Sequence, residues 1–503
     1  MTKPTAAKPW PDRVRRGFAG ADPAMRASWP WVALTALLLV LMIPAALLVA
    51  PGFVGPEAPA PAPPPPEWQQ APATLSAAGG LAPLDASAGI PAAASVTAQV
   101  EPLLKADGGG NFTGLVQDAL TGQVLFDRGG SESRVPASNL KLLTAVAALR
   151  SLGPEHRFTT SVVQGPAAGQ VVLVGGGDVL LGAGESNADG AMGHAGLATL
   201  AAQTVEALKA AGTTGELQVL VDDSLFTGPA LNPAWESGDV AAGEVAPVYP
   251  LALNSARYDP AVTTGPRPQD SAVTVADEFA ARLRTAGAAA GLTVAAAVER
   301  SPRPAATGGE AGEPAVLAEA QSATVAEQVD LMLQASDNYL AEVLGRMASV
   351  AAGGPGSNDG ATAAVRAQLT DAGINADGIR LVDVCGLAMG NQVSARQFTE
   401  VVRAIAAGTD SRLRAALDGF PVAGLTGTLD ARYGEDSTAR GAGLVRAKTG
   451  TLNTVLALSG YVVDADGRLL VFSFIGNGLT PGAAGNKVAL DRAATALAGC
   501  GCR

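Results

Sequence analysis

The chain has 503 residues, 48% of them hydrophobic and 16% charged, with a formal net charge of −12 and a sequence pI near 4.8. That length and composition can bury a sizeable core in more than one domain, and the acidic balance lacks the clustered Lys and Arg that a nucleic-acid partner requires. The only histidines, His156 and His194, lie in no zinc-ligand spacing and read as ordinary surface or loop residues, so zinc chemistry and a Ser-His-Asp hydrolase are both poorly supported.

In chain order, Lys3, Lys8, Arg13, Arg15, Arg16 and Arg26 precede an uncharged run of 20 residues, Trp31 to Ala50. That length spans a bilayer. Leu48 breaks the small-residue pattern of a signal cleavage site, so residues 29–50 read as one uncleaved transmembrane anchor. The basic flank places residues 1–28 in the cytoplasm and the remainder outside, in a single-pass protein of the cell membrane. Residues 51–95 open with seven prolines in "PEAPAPAPPPP" and continue Ala- and Gly-rich, a semi-rigid linker that cannot bury a core.

The folded part is expected from residue 96. "GLVQDALTGQVLFDRGG" (114–130) alternates around a Thr-Gly turn as a hairpin does, and residues 454–477 hold two strand-like runs about an Asp-Ala-Asp-Gly turn, followed by a terminal helix at 486–499. Residues 138–151 and 324–351 read as helices, the first apolar nearly all round and therefore interior. Strands from both chain ends with helices between them give an α+β fold with an antiparallel sheet, built from 96–162 and 322–503. Residues 163–321, with strands and helices of their own, read as a large insertion. Its glycine-rich "GGGDVLLGAGES" lacks a P-loop lysine and reads as a turn.

Within this frame "SNLK" sets Ser138 and Lys141 three residues apart, neighbours on one helix face. Leu140, Leu142, Leu143 and Val146 surround the lysine. Desolvation disfavours its charged form, and a neutral amine beside a hydroxyl is a general base for that hydroxyl. Ser138 also falls near a helix start after Pro136, where free backbone N–H groups can stabilise an oxyanion. Alone, this spacing also suits a snorkelling lysine. Two further motifs follow in order: Ser336-Asp337-Asn338 between helical stretches and Lys448-Thr449-Gly450 before a strand. Five lysines follow residue 50, and two of them fall in these motifs.

S-x-x-K, S-D-N and K-T-G together are the signature of penicillin-binding proteins and class A β-lactamases. From about residue 97 the chain resembles the penicilloyl-serine transferases, and within them the class C low-molecular-mass penicillin-binding proteins, the D-Ala-D-Ala carboxypeptidases and endopeptidases. The gap of about 195 residues from Lys141 to Ser336 resembles that family's inserted domains. "NPAWESGDV", "APVYPLALN", "PVAGLTGTLDAR" and "VRAKTGTLNTVLALSGYV" add to the likeness. The chain departs from the family pattern at Gly177-Asp178-Val179, where Gly-Asp-Pro is common, and at Asp383-Val384-Cys385-Gly386-Leu387, where Asp-Gly-Ser-Gly-Leu is common. Neither departure falls in the three motifs.

The resemblance implies a penicillin-binding, transpeptidase-like catalytic domain. It implies that Ser138 attacks the D-Ala carbonyl while Lys141 takes its proton, and that Ser336 relays a proton to the leaving amine. Asn338 would hold the substrate backbone and Lys141. Lys448 with the hydroxyls of Thr449 and Thr451 would bind the terminal carboxylate, and Gly450 would let the strand approach the substrate closely. The Ser138 and Thr451 amides would form the oxyanion hole. Expected partners are peptidoglycan stem peptides, with β-lactams as inhibitors and the membrane through the N-terminal helix; no metal or organic cofactor is implied. A β-lactamase or esterase on the same scaffold and a non-catalytic wall-binding protein are the competing readings. Finally, Cys500 and Cys502 are too close in sequence to bridge without strain, so Cys385 is expected to pair with one of them.

Overall fold

The computed structural model describes Leu34 and residues 85–301 and 314–501. The expected tail, the anchor at 29–50 apart from Leu34, and the linker up to residue 84 lie outside the described residues. Among those described, no helix is long and apolar enough to cross a membrane.

The chain ends meet in one antiparallel sheet. Its strands run in the order Arg446–Leu452, Val455–Val463, Leu469–Thr480, Gly109–Asp118, Val124–Arg128. The expected hairpins form at Gly109–Arg128 and Val455–Thr480; because successive side chains point to opposite faces, the near-continuous apolar run of Leu469–Thr480 serves both faces of the sheet. In the last strand Leu470, Phe472 and Phe474 pack with the helices Ala93–Val100 and Lys487–Ala498. Val471 and Ile475 face the opposite way, toward the core of Lys141–Ser151, Val325–Gln334, Asn338–Ala351, Asn358–Asp371 and Ala395–Ala407. The sheet is thus covered on both sides.

A second sheet, Leu292–Val294, Gly215–Asp222, Gln170–Val174, Arg157–Gln164 and Val316–Thr324, mixes parallel and antiparallel pairs and packs against the helices Leu197–Ala210 and Ser271–Gly287. The two interior helices of the first layer differ in how they begin. Val325–Gln334 starts on a capping box in which Thr324 and Glu327 satisfy each other's backbone N–H, while Asn338–Ala351 is capped by Asp337 accepting from Leu340 N at 3.0 Å.

Two expectations need correction. The linker was read as running to residue 95, yet residues 85–92 are docked: Asp85 N donates to the Gly467 carbonyl, and the Arg468 guanidinium binds the Ala86 and Ala88 carbonyls while pairing with buried Asp118. Backbone carbonyls captured by one arginine hold this segment without a core of its own. The bridge from Cys385 does not form either. Cys385 is a buried free thiol, and Cys500 is disulfide-bonded without it.

Candidate active site

Ser138 stands on a single 3-10 turn, Ala137–Leu140, that runs directly into the α-helix beginning at Lys141. Ala137 enters that turn with φ +47°, a left-handed conformation that costs a non-glycine residue of order 1–2 kcal/mol. Long-range contacts hold it there. Asn139 Nδ2 donates to Ser459 Oγ at 2.6 Å on the central sheet. An added Cβ on Gly450 would lie 3.0 Å from the Pro136 carbonyl oxygen and 3.1 Å from Ser138 N, so the Lys448-Thr449-Gly450 strand presses directly on the serine's turn. Only glycine allows that approach without displacing a neighbour.

Lys141 is fully buried, and its Nζ has three neighbours: Ser138 Oγ at 3.1 Å, Asn338 Oδ1 at 2.6 Å and the Cys385 carbonyl at 2.7 Å. Burial lowers its pKa below the ordinary lysine value; the Cys385, Asp383, Asp337 and Glu342 groups oppose that shift. A neutral amine has two N–H donors and one lone pair. Asn338 Oδ1 and the Cys385 oxygen can only accept, so they take both protons and leave the lone pair for the Ser138 hydroxyl. The geometry therefore aims an amine lone pair at a serine hydroxyl.

Ser336 and Asn338 flank the break between two interior helices, and Ser336 itself is left-handed, φ +55°. Asp337 between them is buried and pinned by Ser255 Oγ and Arg257 Nη2, each at 2.8 Å. Ser255 lies in a run of three consecutive left-handed residues, Asn254, Ser255 and Ala256, with φ +52°, +59° and +54°, and Arg257 follows that run directly. Asn338 Nδ2 donates to the Glu244 carbonyl at 3.0 Å, so the segment from 244 to 257 fixes both sides of the turn.

Lys448 is also fully buried, and its Nζ donates to Ser336 Oγ at 2.9 Å and to the Thr449 carbonyl at 2.8 Å. Burial first, and then the charge of Lys141, push its pKa well below the usual lysine value. Its strand is the edge of the sheet. Ala447 N donates outward to the Pro421 carbonyl, and strand periodicity turns the Thr449 and Thr451 amides to the same side. Beyond Ala447 that edge opens on a cleft of about 1190 Å³, lined by Ser138, Ser336, Asn338, Thr449 and Thr451 and faced by Glu236, Asp239, Arg257, Arg267 and Arg432.

All eight residues expected from the motifs thus converge on one site, with the buried lysines behind it. Several groups had no signal in the motifs: the Cys385 carbonyl on Lys141, the Glu244 carbonyl on Asn338, the Ser255–Arg257 anchor, and Thr428, whose hydroxyl is 2.6 Å from that of Thr449. The second departure from the family pattern, set apart from the motifs in sequence, is in contact with them in space. Its one legible signal was Gly386, which adopts φ +87° where an added Cβ would lie 2.0 Å from the Ala137 oxygen. Among the described residues Glu342, Asp383 and Cys385 bring two carboxylates and a thiol, groups able to ligate a metal, within 4.8 Å of one another. Their oxygens already accept amide protons from Val384, Cys385, Gly386 and Ala388, which makes them a hydrogen-bonded clamp.

The family model for D-Ala-D-Ala carboxypeptidase 3 (S13) matches residues 96–281 and 261–497. The chain belongs to this S13 family. It is 36% identical to a carboxypeptidase of Mycobacterium tuberculosis over 434 residues, 86% of this chain and 89% of that one. It is 29% identical to a D-alanyl-D-alanine carboxypeptidase of an Actinomadura strain, covering 72% and 77% of the two chains. The fold of this S13 protein is shared with the crystal structure of penicillin binding protein 4 from Haemophilus influenzae, with TM-score 0.61, 22% identity, and 80% of this chain and 97% of that one covered.

Proposed function

We propose that this S13 protein is a serine D-Ala-D-Ala carboxypeptidase and endopeptidase acting on peptidoglycan stem peptides, with Ser138 as nucleophile and Lys141 as its base. The observation that carries this reading is the Lys141 amine held between two pure acceptors and the Ser138 hydroxyl. The stem peptide lies along the open strand edge at Thr449 and Thr451 as an added strand. Ser138 Oγ bonds to the penultimate D-Ala carbonyl carbon while its proton passes to Lys141 Nζ, and the oxyanion is met by the Ser138 and Thr451 amides. Collapse breaks the peptide bond. The departing amine takes, through Ser336, which Lys448 contacts, the proton that Lys141 received from Ser138, and the terminal carboxylate rests on the Thr449 and Thr451 hydroxyls. Lys141, neutral again, then takes a proton from the water that attacks the acyl carbonyl and returns it to Ser138 Oγ as the ester bond breaks.

Incubating the purified full chain with a pentapeptide stem and analysing products by mass spectrometry tests the assignment. A stem shortened by one D-alanine, and its loss in Ser138→Ala, is the expected outcome; an intact stem contradicts it. A β-lactam enters the same path as an acylating inhibitor, and rapid turnover of penicillin would point to the β-lactamase reading.

The apolar run 31–50 and its basic flank support the further proposal that the catalytic unit, 96–162 and 322–503 with 163–321 inserted, is tethered outside the cell membrane. Retention of the chain in the membrane fraction after a carbonate wash is expected. A mature chain beginning after Ala50 contradicts it.

A further inference from the structure

Asn338 and Glu342 lie one turn apart on the same helix, on the face turned toward Lys141. Asn338 acts on the lysine directly, through its 2.6 Å contact. Glu342 does not touch it. Its Oε1 accepts the amide protons of Val384 and Cys385, both at 2.9 Å, and the carbonyl of that same Cys385 accepts from Lys141 Nζ at 2.7 Å. The helix therefore reaches the amine twice, once through a side chain and once through a borrowed backbone carbonyl.

The rest of the turn is held from the opposite side. Asp383 fixes the far side, accepting from Gly386 N, Ala388 N, Asn391 Nδ2 and Trp235 Nε1. Gly386 abuts the residue before the nucleophile. The peptide that carries the Cys385 carbonyl is held at Gly386 N by Asp383, while the two peptides leading into it end, through the buried Val384 and Cys385 amides, on Glu342 alone. Glu342 is itself fully buried, and its second oxygen has no partner, so it forms no ion pair that would explain it as a purely electrostatic element. Arg346, one turn on, stacks over Phe226 and leaves Nε and Nη2 without hydrogen bonds.

We propose that Glu342 is a positioning residue for acylation: by holding the two peptides that lead into Cys385, while Asp383 holds the Cys385–Gly386 peptide itself, it keeps the Cys385 carbonyl where that carbonyl takes one Lys141 proton and the amine's lone pair faces Ser138. This rests on the assignment of Ser138 and Lys141 as nucleophile and base. What Glu342 supplies is an acceptor atom at the right reach; its charge is not what the turn needs. Length and charge can be separated. Glu342→Gln keeps the reach and an oxygen acceptor but has no charge, whereas Glu342→Asp keeps the charge and withdraws it by one methylene.

The test is the second-order rate of benzylpenicillin acylation of the full chain, followed by intact mass, with peptide mapping of the adduct and thermal melting of each variant. Glu342→Gln should acylate within about threefold of the wild-type chain, and Glu342→Asp should be slower by about 10- to 100-fold, the cost typical of a reacting group held slightly out of line. Any other order, including both variants fast or both slow, overturns the proposal. An adduct on the wild-type chain at a residue other than Ser138 would instead remove the assignment beneath it, and the mapping distinguishes the two failures.

Discussion

Lys448 Nζ stands 2.9 Å from Ser336 Oγ, linking two motifs 112 residues apart behind the cleft. In the proposed reaction Ser336, held in this way, relays the Lys141 proton to the leaving amine. Ser336→Ala should therefore leave the fold intact and slow peptide turnover by about 10²- to 10⁴-fold, the range for losing a general acid. The measurement is kcat on a pentapeptide stem alongside thermal melting. Unchanged kcat would remove Ser336 from the reaction.

The anchor beneath the Ser336–Asn338 turn makes a separate prediction. Arg257 and Asp337 are both buried and paired at 2.8 Å. Arg257→Met leaves the Asp337 carboxylate buried without its cation, a loss of roughly 3–5 kcal/mol. Adding Asp337→Asn removes the stranded charge, so the double variant should unfold at higher denaturant than Arg257→Met alone. Denaturant titrations of both decide it, and equal midpoints would mean the pair is not coupled.

Asp178 gives a pH-dependent outcome. Burial pushes its carboxyl up to about 7; Leu180 N donates to Oδ1 at 2.9 Å, and Oδ2 has no partner. The unfolded carboxyl titrates near about 4, so between about pH 4 and 7 the native chain binds more protons than the unfolded one and loses stability as pH rises. Asp178→Asn does not titrate and keeps the Oδ1 acceptor. Its stability relative to the wild-type chain should climb from pH 4.5 to 7.5, by denaturant titration at each pH; a constant difference would show that Asp178 ionises normally.

What the sequence made legible follows from which atoms do the work. Ser138, Lys141, Ser336, Asn338, Lys448 and Thr449 are assigned their proposed roles through side chains that little else can replace, at spacings that helix and strand geometry fix. The central hairpins were legible because alternation is local. The Cys385 and Glu244 carbonyls were not, since any residue supplies a carbonyl. Nor was Glu342, whose partners lie 42 and 43 residues away. The left-handed run Asn254–Ala256 contains no glycine, and long-range contacts hold it: Asn254 N and Ser255 N donate to the Leu181 and Val179 carbonyls, Arg267 binds the Ser255 carbonyl, and Ser255 Oγ binds Asp337. The expected Cys385 bridge failed because strain between near neighbours was weighed without knowing that Cys385 sits in the interior against Asp383.

Everything proposed for the reaction depends on buried Lys141 being the base for Ser138. Lys141→Met keeps an apolar side chain of similar length in the helix, and Lys141→Arg keeps a cation that cannot deprotonate, so both should fold and neither should acylate. The direct measurement is the rate of penicillin adduct formation on Ser138 by intact-mass spectrometry, with thermal melting alongside. Folded variants that lose acylation by about 10²-fold or more are the predicted result. A folded Lys141→Met or Lys141→Arg chain acylating at the wild-type rate would show that the lysine is structural and that the base lies elsewhere.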